Sequence, residues 1–226
     1  GFAMNGGFAE YLLTNERALI KLNENILPLD VAPMADAGIT AYRVAKQAAM
    51  HLNPGSYCVV MGVGGLGHIA IQCLREICSA RIVAVDTNLA ARDLVKELGA
   101  YRTVDGGPNV IDEIREITGG GAHVVIDFVA ELGAEQICWQ MLRQGGTHFI
   151  VGYGGRIEIP TVHMIMNEIN IAGSLAGNYL ELVELMELNA QGRVTMSFTK
   201  YSLDSINAAL NDFKNRNFVG RAVIVP

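Results

Sequence analysis

Residues 56–72 read SYCVVMGVGGLGHIAIQ, and this stretch decides the fold. The apolar run from Ser56 to Val63 has strand length and no alternation, as expected of a strand buried on both faces. Past the glycines, apolar residues fall at 66, 69, 70, 73, 74 and 77. That is the i, i+3, i+4, i+7 spacing of an amphipathic helix. Between strand and helix, Gly62, Gly64 and Gly67 form a G-x-G-x-x-G turn.

The same alternation continues outward. RIVAVD (81–86), RTV (102–104), AHVVIDFV (122–129), GGTHFIVG (145–152) and INIAGSL (169–175) read as strands. NLAARDLVKELGA, NVIDEIREITGG and a span across 131–143 read as the helices between them, with Gly99 as a helix stop. Buried strands alternating with helices predict a doubly wound parallel sheet with right-handed crossovers. Upstream, FAEYLLT (8–14) and ALIKL (18–22) read as short strands of a β-rich element, and a helix is expected from Ala37 to about Leu52, ending at NPG. Downstream, YLELVELMELNAQG and LDSINAALNDFKN read as helices, the latter capped by Asp204 or Ser205, and VGRAVIVP as a last strand.

Glycines in this strand–turn–helix setting carry a mechanism. The first allows the tight turn, the second lets the backbone approach a pyrophosphate, and the third lets helix and strand pack closely. The helix N-terminus offers free amides and a partial positive charge to phosphate. The second strand ends at Asp86, 19 residues after Gly67. A carboxylate there accepts hydrogen bonds from a ribose diol and repels a 2′-phosphate. At about 4 Å and an effective dielectric near 20, one such charge pair is worth about 4 kcal/mol. The next cation along the chain is Arg92, so the reading is NAD rather than NADP. Asp86 can also cap the helix starting near Asn88, and both roles can coexist.

Bulk composition narrows the classes. The 226 residues are 50% hydrophobic and 18% charged, with a net charge of −6. This suits a folded chain and disfavours nucleic acid or an anionic membrane as partner. No apolar run reaches the roughly 20 residues of a membrane span, and no signal peptide is visible, so a cytoplasmic protein is expected. The chain opens GFAMNGGFAEY without an initiator Met, which reads as mid-sequence, the mark of a fragment or processed chain. Cys58, Cys73, Cys78 and Cys138 have no C-x-x-C spacing and read as buried small hydrophobes. His51, His68, His123, His148 and His163 are dispersed, so no complete metal site shows in local spacing.

GGFAEY, PMADAGITAYRVAK, NPGSYCVVMGVGGLGHIAIQ, VAVD, VIDFV, VGYGG, GSLAGNYLEL and GRAVIVP occur in this order. Together they resemble the zinc-dependent medium-chain alcohol dehydrogenases, particularly the NAD-dependent bacterial and archaeal members. The resemblance covers essentially the whole chain. It implies a Rossmann sheet of order 3-2-1-4-5-6 at residues 38–176, with remnants of a GroES-like β-rich catalytic domain at 1–37 and a return segment to that domain at 177–226. It implies that Asp36 stands where the third protein ligand of the catalytic zinc lies, although a helix N-cap is the alternative. Thr40 would sit beside the nicotinamide in the catalytic site. Gly62, Gly64, Gly65, Leu66 and Gly67 would hold the pyrophosphate. Arg221 would pair with it, unless it is a surface charge on a terminal strand. Val151, Gly152, Ser174, Leu175 and Ala176 would line the nicotinamide.

The family's chemistry is hydride transfer between a small alcohol and NAD, giving an aldehyde or ketone, with zinc as Lewis acid. The other zinc ligands of the family have no match here, and none of the five histidines falls at one. The zinc site is therefore expected to be incomplete, and the chain inactive alone. A non-enzymatic NAD-binding or oligomerisation module is an alternative. So is another medium-chain dehydrogenase of polyol, threonine or quinone reductase type. The apolar INIAGSL strand, as an open edge, invites pairing, and the resemblance implies a homodimer or homotetramer.

Overall fold

The computed structural model describes residues 6–215 and 217–226. The short α1 (Pro28–Val31) leads into α2 (Ala37–Ala49), which crosses to β1 (Tyr57–Met61). Then α3 (Gly67–Ile77), β2 (Arg81–Asp86), α4 (Leu89–Glu97), β3 (Arg102–Asp105), α5 (Val110–Thr118) and β4 (Ala122–Asp127) alternate. They are followed by α6 (Ala134–Cys138), β5 (Leu142–Ile150), α7 (Thr161–Asn167) and β6 (Asn170–Gly173). The six strands form one sheet of order β3-β2-β1-β4-β5-β6, and every neighbouring pair is parallel.

Two cores result because the strands are apolar on both faces. Val60, Ile82, Ala84, Val124 and Ile126 face one cluster with α2, α3 and α4. Val59, Val83, Val85 and Val125 face the other, closed by Val110 and Ile114 of α5 and by Cys138 of α6. Buried on both sides, the sheet leaves only its strand ends and edges for a ligand. No described helix is long and apolar enough to cross a membrane.

Residues 177–226 carry a small sheet of their own. After α8 (Tyr179–Ala190), β7 (Phe198–Ser202) pairs in parallel with β8 (Arg221–Val225), with α9 (Ile206–Lys214) between them. Packing of α8 on α2 runs through Leu185 and Met186, and Arg43 meets Glu181 at 3.0 Å.

Several sequence expectations change. FAEYLLT and ALIKL form no strand; residues 6–27 hold only a 3₁₀ turn at Glu16–Ala18. A strand needs a neighbouring ladder, and none of the described elements supplies one there. The helix expected across 131–143 contracts to α6 and a 3₁₀ turn, because Ala130 and Leu132 take left-handed backbone and the strand already begins at Leu142. Ser205 is the N-cap residue of α9, as one of the two expected, but its side chain makes no cap hydrogen bond. Elements α7 and β7 were not anticipated.

Candidate functional site

Strand order reverses between β1 and β4: the chain leaves β1 toward β2 on one side and returns to β4 on the other. At such a switch point the loops after the strands part and leave a crevice. A cleft of about 670 Å³ opens there. Its floor is Gly62, Gly64 and Gly65, one end is Asp86, and its walls include Leu132 and Phe218.

Two glycines of the turn are fixed by geometry. Gly62 has φ +83°, a left-handed conformation. At Gly67 a Cβ would stand 2.1 Å from the Gly62 carbonyl oxygen, so the helix reaches the strand only without a side chain. Helix α3 has no side-chain N-cap. The Gly64, Gly65 and Leu66 amides find no acceptor among the described residues. This is a cradle of donors opening on a cleft, the arrangement that suits phosphate oxygens.

Asp86 does two jobs at once. One carboxylate oxygen accepts from the Val63 amide at 2.8 Å, and the other from the Asn88 amide at 2.8 Å. It thus ties the glycine turn to the start of α4 and leaves its remaining lone pairs facing the cleft. Asn88, not Asp86, is the N-cap residue of α4, accepting from the Ala90 amide. The Arg92 guanidinium is held by the Asp86 carbonyl at 2.5 Å and by Asp105 at 2.6 Å.

Arg221 starts β8 and lies over Gly65: a Cβ on that glycine would be 2.8 Å from the Arg221 Cδ and 3.1 Å from its Nη1. The guanidinium reaches Asp36 Oδ2 at 3.4 Å. His68 joins the turn to the same return segment. Its Nδ1 is 2.6 Å from the Gly64 carbonyl, and its Nε2 is 3.3 Å from the Ser197 amide. Only the neutral tautomer with a proton on Nδ1 donates to the first and accepts from the second. Burial holds its pKa below the ordinary imidazole value. The Gly64 carbonyl opposes this, and the Arg221 charge adds to it.

The other sequence-picked residues do not line this cleft. Val151 and Gly152 follow β5, with both amides on the Asp127 carbonyl, and Ser174 follows β6, with its amide on the Ile150 carbonyl. The Ser174 hydroxyl is buried without a partner, whereas Leu175 and Ala176 are exposed. Thr40, on the first turn of α2, donates its hydroxyl to the Asp36 carbonyl at 2.7 Å. Asp36 stands at the N-cap position of α2, but its side chain makes no cap hydrogen bond. Its carboxylate is 83% exposed and faces Arg221. No Cys, His or second carboxylate joins Asp36 in a metal-sized cluster among the described residues. The donor set around Asp36 does not fit a zinc ion.

Sequence reading missed the cleft walls from loops and the return segment, among them Pro108, Leu132, Phe213 and Phe218. Nothing local marks them, since their place is set by packing. It also missed the meeting of Asp127, Cys138 and His148, each on a different element.

A parallel sheet in this order, with an uncapped glycine turn at its switch point, defines a doubly wound protein of the dinucleotide-binding type. The sequence profile of the family described as "Zinc-binding dehydrogenase" matches residues 65–191, more than half of the chain. An alcohol dehydrogenase of Geobacillus stearothermophilus is 30% identical over 99% of this chain and 66% of its own length. An NAD-dependent alcohol dehydrogenase of Sulfurisphaera tokodaii is 32% identical over all of this chain and 66% of its own. The crystal structure of the Aeropyrum pernix alcohol dehydrogenase superposes with TM-score 0.95 at 41% identity, over 99% of this chain and 66% of that one. The chain belongs to the zinc-binding dehydrogenase family, and it spans 66% of the length of the curated relatives it matches.

Proposed function

We propose that this chain is the NAD-holding part of an alcohol dehydrogenase, in which hydride passes between an alcohol carbon and the nicotinamide. The observation that carries the reading is the glycine turn with free amides and the Asp86 carboxylate beside it, both lining one cleft. Amides of Gly64, Gly65 and Leu66 would take the pyrophosphate, with the Arg221 fork closing over it from the return segment. The Asp86 carboxylate would take the adenosine ribose hydroxyls. Arg92, the nearby cation, is already engaged by Asp105, so a 2′-phosphate would meet uncompensated negative charge.

Thr40, Val151, Gly152, Ser174, Leu175 and Ala176 are assigned to the nicotinamide end. The Ser174 hydroxyl, buried with no partner among the described residues, leaves a donor and acceptor free at that end. Asp36 is the residue assigned to the family's zinc, but the described residues do not make that site, and the chemistry supplied here is that of holding and orienting the nucleotide. Residues 1–37 and 177–226 are assigned to the catalytic domain and 38–176 to the cofactor domain. Alcohol, aldehyde or ketone as substrate rests on the relatives' names. One relative is a D-arabinose 1-dehydrogenase named for NADP(+), which makes cofactor choice the sharper test.

Fluorescence titration of the chain with NADH and NADPH provides that test. NADH should bind and NADPH should bind at least about tenfold more weakly. Asp86→Ser combined with Thr87→Arg should reverse the order. If the double variant leaves both affinities where they were, Asp86 is not the ribose residue.

A further inference from the structure

Three side chains without a common local pattern meet inside the second core. Asp127 ends β4, Cys138 ends α6, and His148 lies within β5. All three are fully buried, and a carboxylate oxygen, the thiol sulfur and a ring nitrogen lie within 4.8 Å of one another. Apolar side chains surround them, including Val125, Met141 and Ile169.

The polar groups there are only half accounted for. Asp127 Oδ1 accepts from the Val129 amide at 2.9 Å and from the Ala130 amide at 2.8 Å. Among the described residues Oδ2 has no hydrogen-bond partner, and neither ring nitrogen of His148 has one. His148 Nε2 stands 3.6 Å from Asp127 Oδ2, too far for a hydrogen bond. A carboxylate oxygen left without a donor in an apolar core is disfavoured. The spacing suits something placed between the groups. With metal–ligand bonds of about 2.0–2.1 Å, two ligands of a tetrahedral ion lie about 3.3 Å apart.

We propose that Asp127, Cys138 and His148 form a buried binding site for a zinc-class divalent cation. One thiolate, one imidazole and one carboxylate select a borderline or soft ion over magnesium or calcium, which take oxygen ligands. Thiolate and carboxylate together cancel the charge of a dication, so the assembly enters the apolar core neutral. Binding releases the thiol proton and moves no electrons. The fourth coordination position is left to a water molecule.

The site sits behind the nucleotide cleft. Through Oδ1, Asp127 fixes the amides of Val129 and Ala130. The chain then turns through left-handed Ala130 and Leu132, with φ of 46° and 56°, and lays Glu131 and Leu132 against the cleft. A cation on Oδ2 would hold that wall from the rear. The site shares no residue with Asp36, and it stands whether or not the chain binds NAD.

The test is to unfold the full 226-residue chain, refold it with cobalt(II) under reducing conditions, pass it over a chelating resin and measure metal content and the absorption spectrum. The chain should keep about one cobalt with a thiolate-to-cobalt charge-transfer band, and its Tm should rise relative to the metal-free chain. Cys138→Ser should remove the band, and His148→Asn should lower retention about tenfold or more. Asp36→Asn should change neither. The proposal is overturned if the refolded chain keeps no cobalt, if both core variants keep it as well as the parent does, or if only the Asp36 variant loses it. Should Cys138→Ser fail to fold by circular dichroism, His148→Asn decides alone.

Discussion

His68 shows what a single residue contributes beyond its motif. Its ring clamps the Gly64 carbonyl on one side and the Ser197 amide on the other, which fastens the return segment to the glycine turn. With its folded pKa held low, the imidazole stays neutral while the unfolded chain, near pKa 6.5, takes up a proton. The unfolded state thus binds more protons below about pH 6.5, and stability falls as the pH drops from there toward the folded pKa. The slope from one such group is at most about 1.4 kcal/mol per pH unit. Urea unfolding between pH 7.5 and 5 should show this decline, and His68→Gln should flatten it while lowering stability at pH 7.5. An identical slope in both proteins would remove His68 as its source. The glycines and Asp86 were legible because their chemistry is local, a turn spacing and a strand end. The His68 clamp was not, since its partner lies 129 residues away. The Asp127, Cys138 and His148 cluster escaped because its members lie on three different elements that only the fold brings together.

At the scale of elements, α8 is held at its start by a reciprocal cap. Asn178 accepts from the Glu181 amide at 3.0 Å, and the Glu181 carboxylate accepts from the Asn178 amide at 2.8 Å. The same carboxylate meets Arg43 of α2, so one residue orders the helix start and the α2–α8 contact. Asn178→Ala should cost about 1 kcal/mol in urea unfolding, and Asn178→Asp should recover most of it. Strands β1, β2 and β4 were readable because burial on both faces leaves unbroken apolar runs, whereas β3 and β6 are short and half exposed. Strand β7 was not readable, because FTKYS is short and half polar and gains its identity from pairing with β8. Helix α7 carries Val162, Ile165 and Met166 toward solvent, so its apolar residues do not mark an inward face. The stretch 8–22 erred in the other direction: its apolar residues promised strands, but without a ladder to join, Tyr11, Leu12, Leu13 and Leu19 remain exposed.

The whole molecule presents an open sheet edge beside an apolar helix. Among the described strands β6 pairs only with β5, and it carries neither Pro nor Lys to blunt its other side. The preceding α7 exposes Val162, Ile165 and Met166, and the following loop exposes Leu175. An edge of this kind invites a second copy to pair with it. A twofold interface uses each residue twice. Burying one Ile side chain is worth about 1.5–3 kcal/mol, so losing it from both copies should cost about 3–6 kcal/mol. That weakens a dimer about a hundredfold or more. Sedimentation velocity at micromolar concentration should therefore show a dimer or larger assembly, and Ile165→Glu with Met166→Lys should return it to monomer without loss of fold. The exposed segment at residues 8–19 is the competing apolar surface. If Leu12→Glu with Leu13→Lys dissociates the assembly and the α7 variant does not, association runs through that segment and the β6 edge stays free.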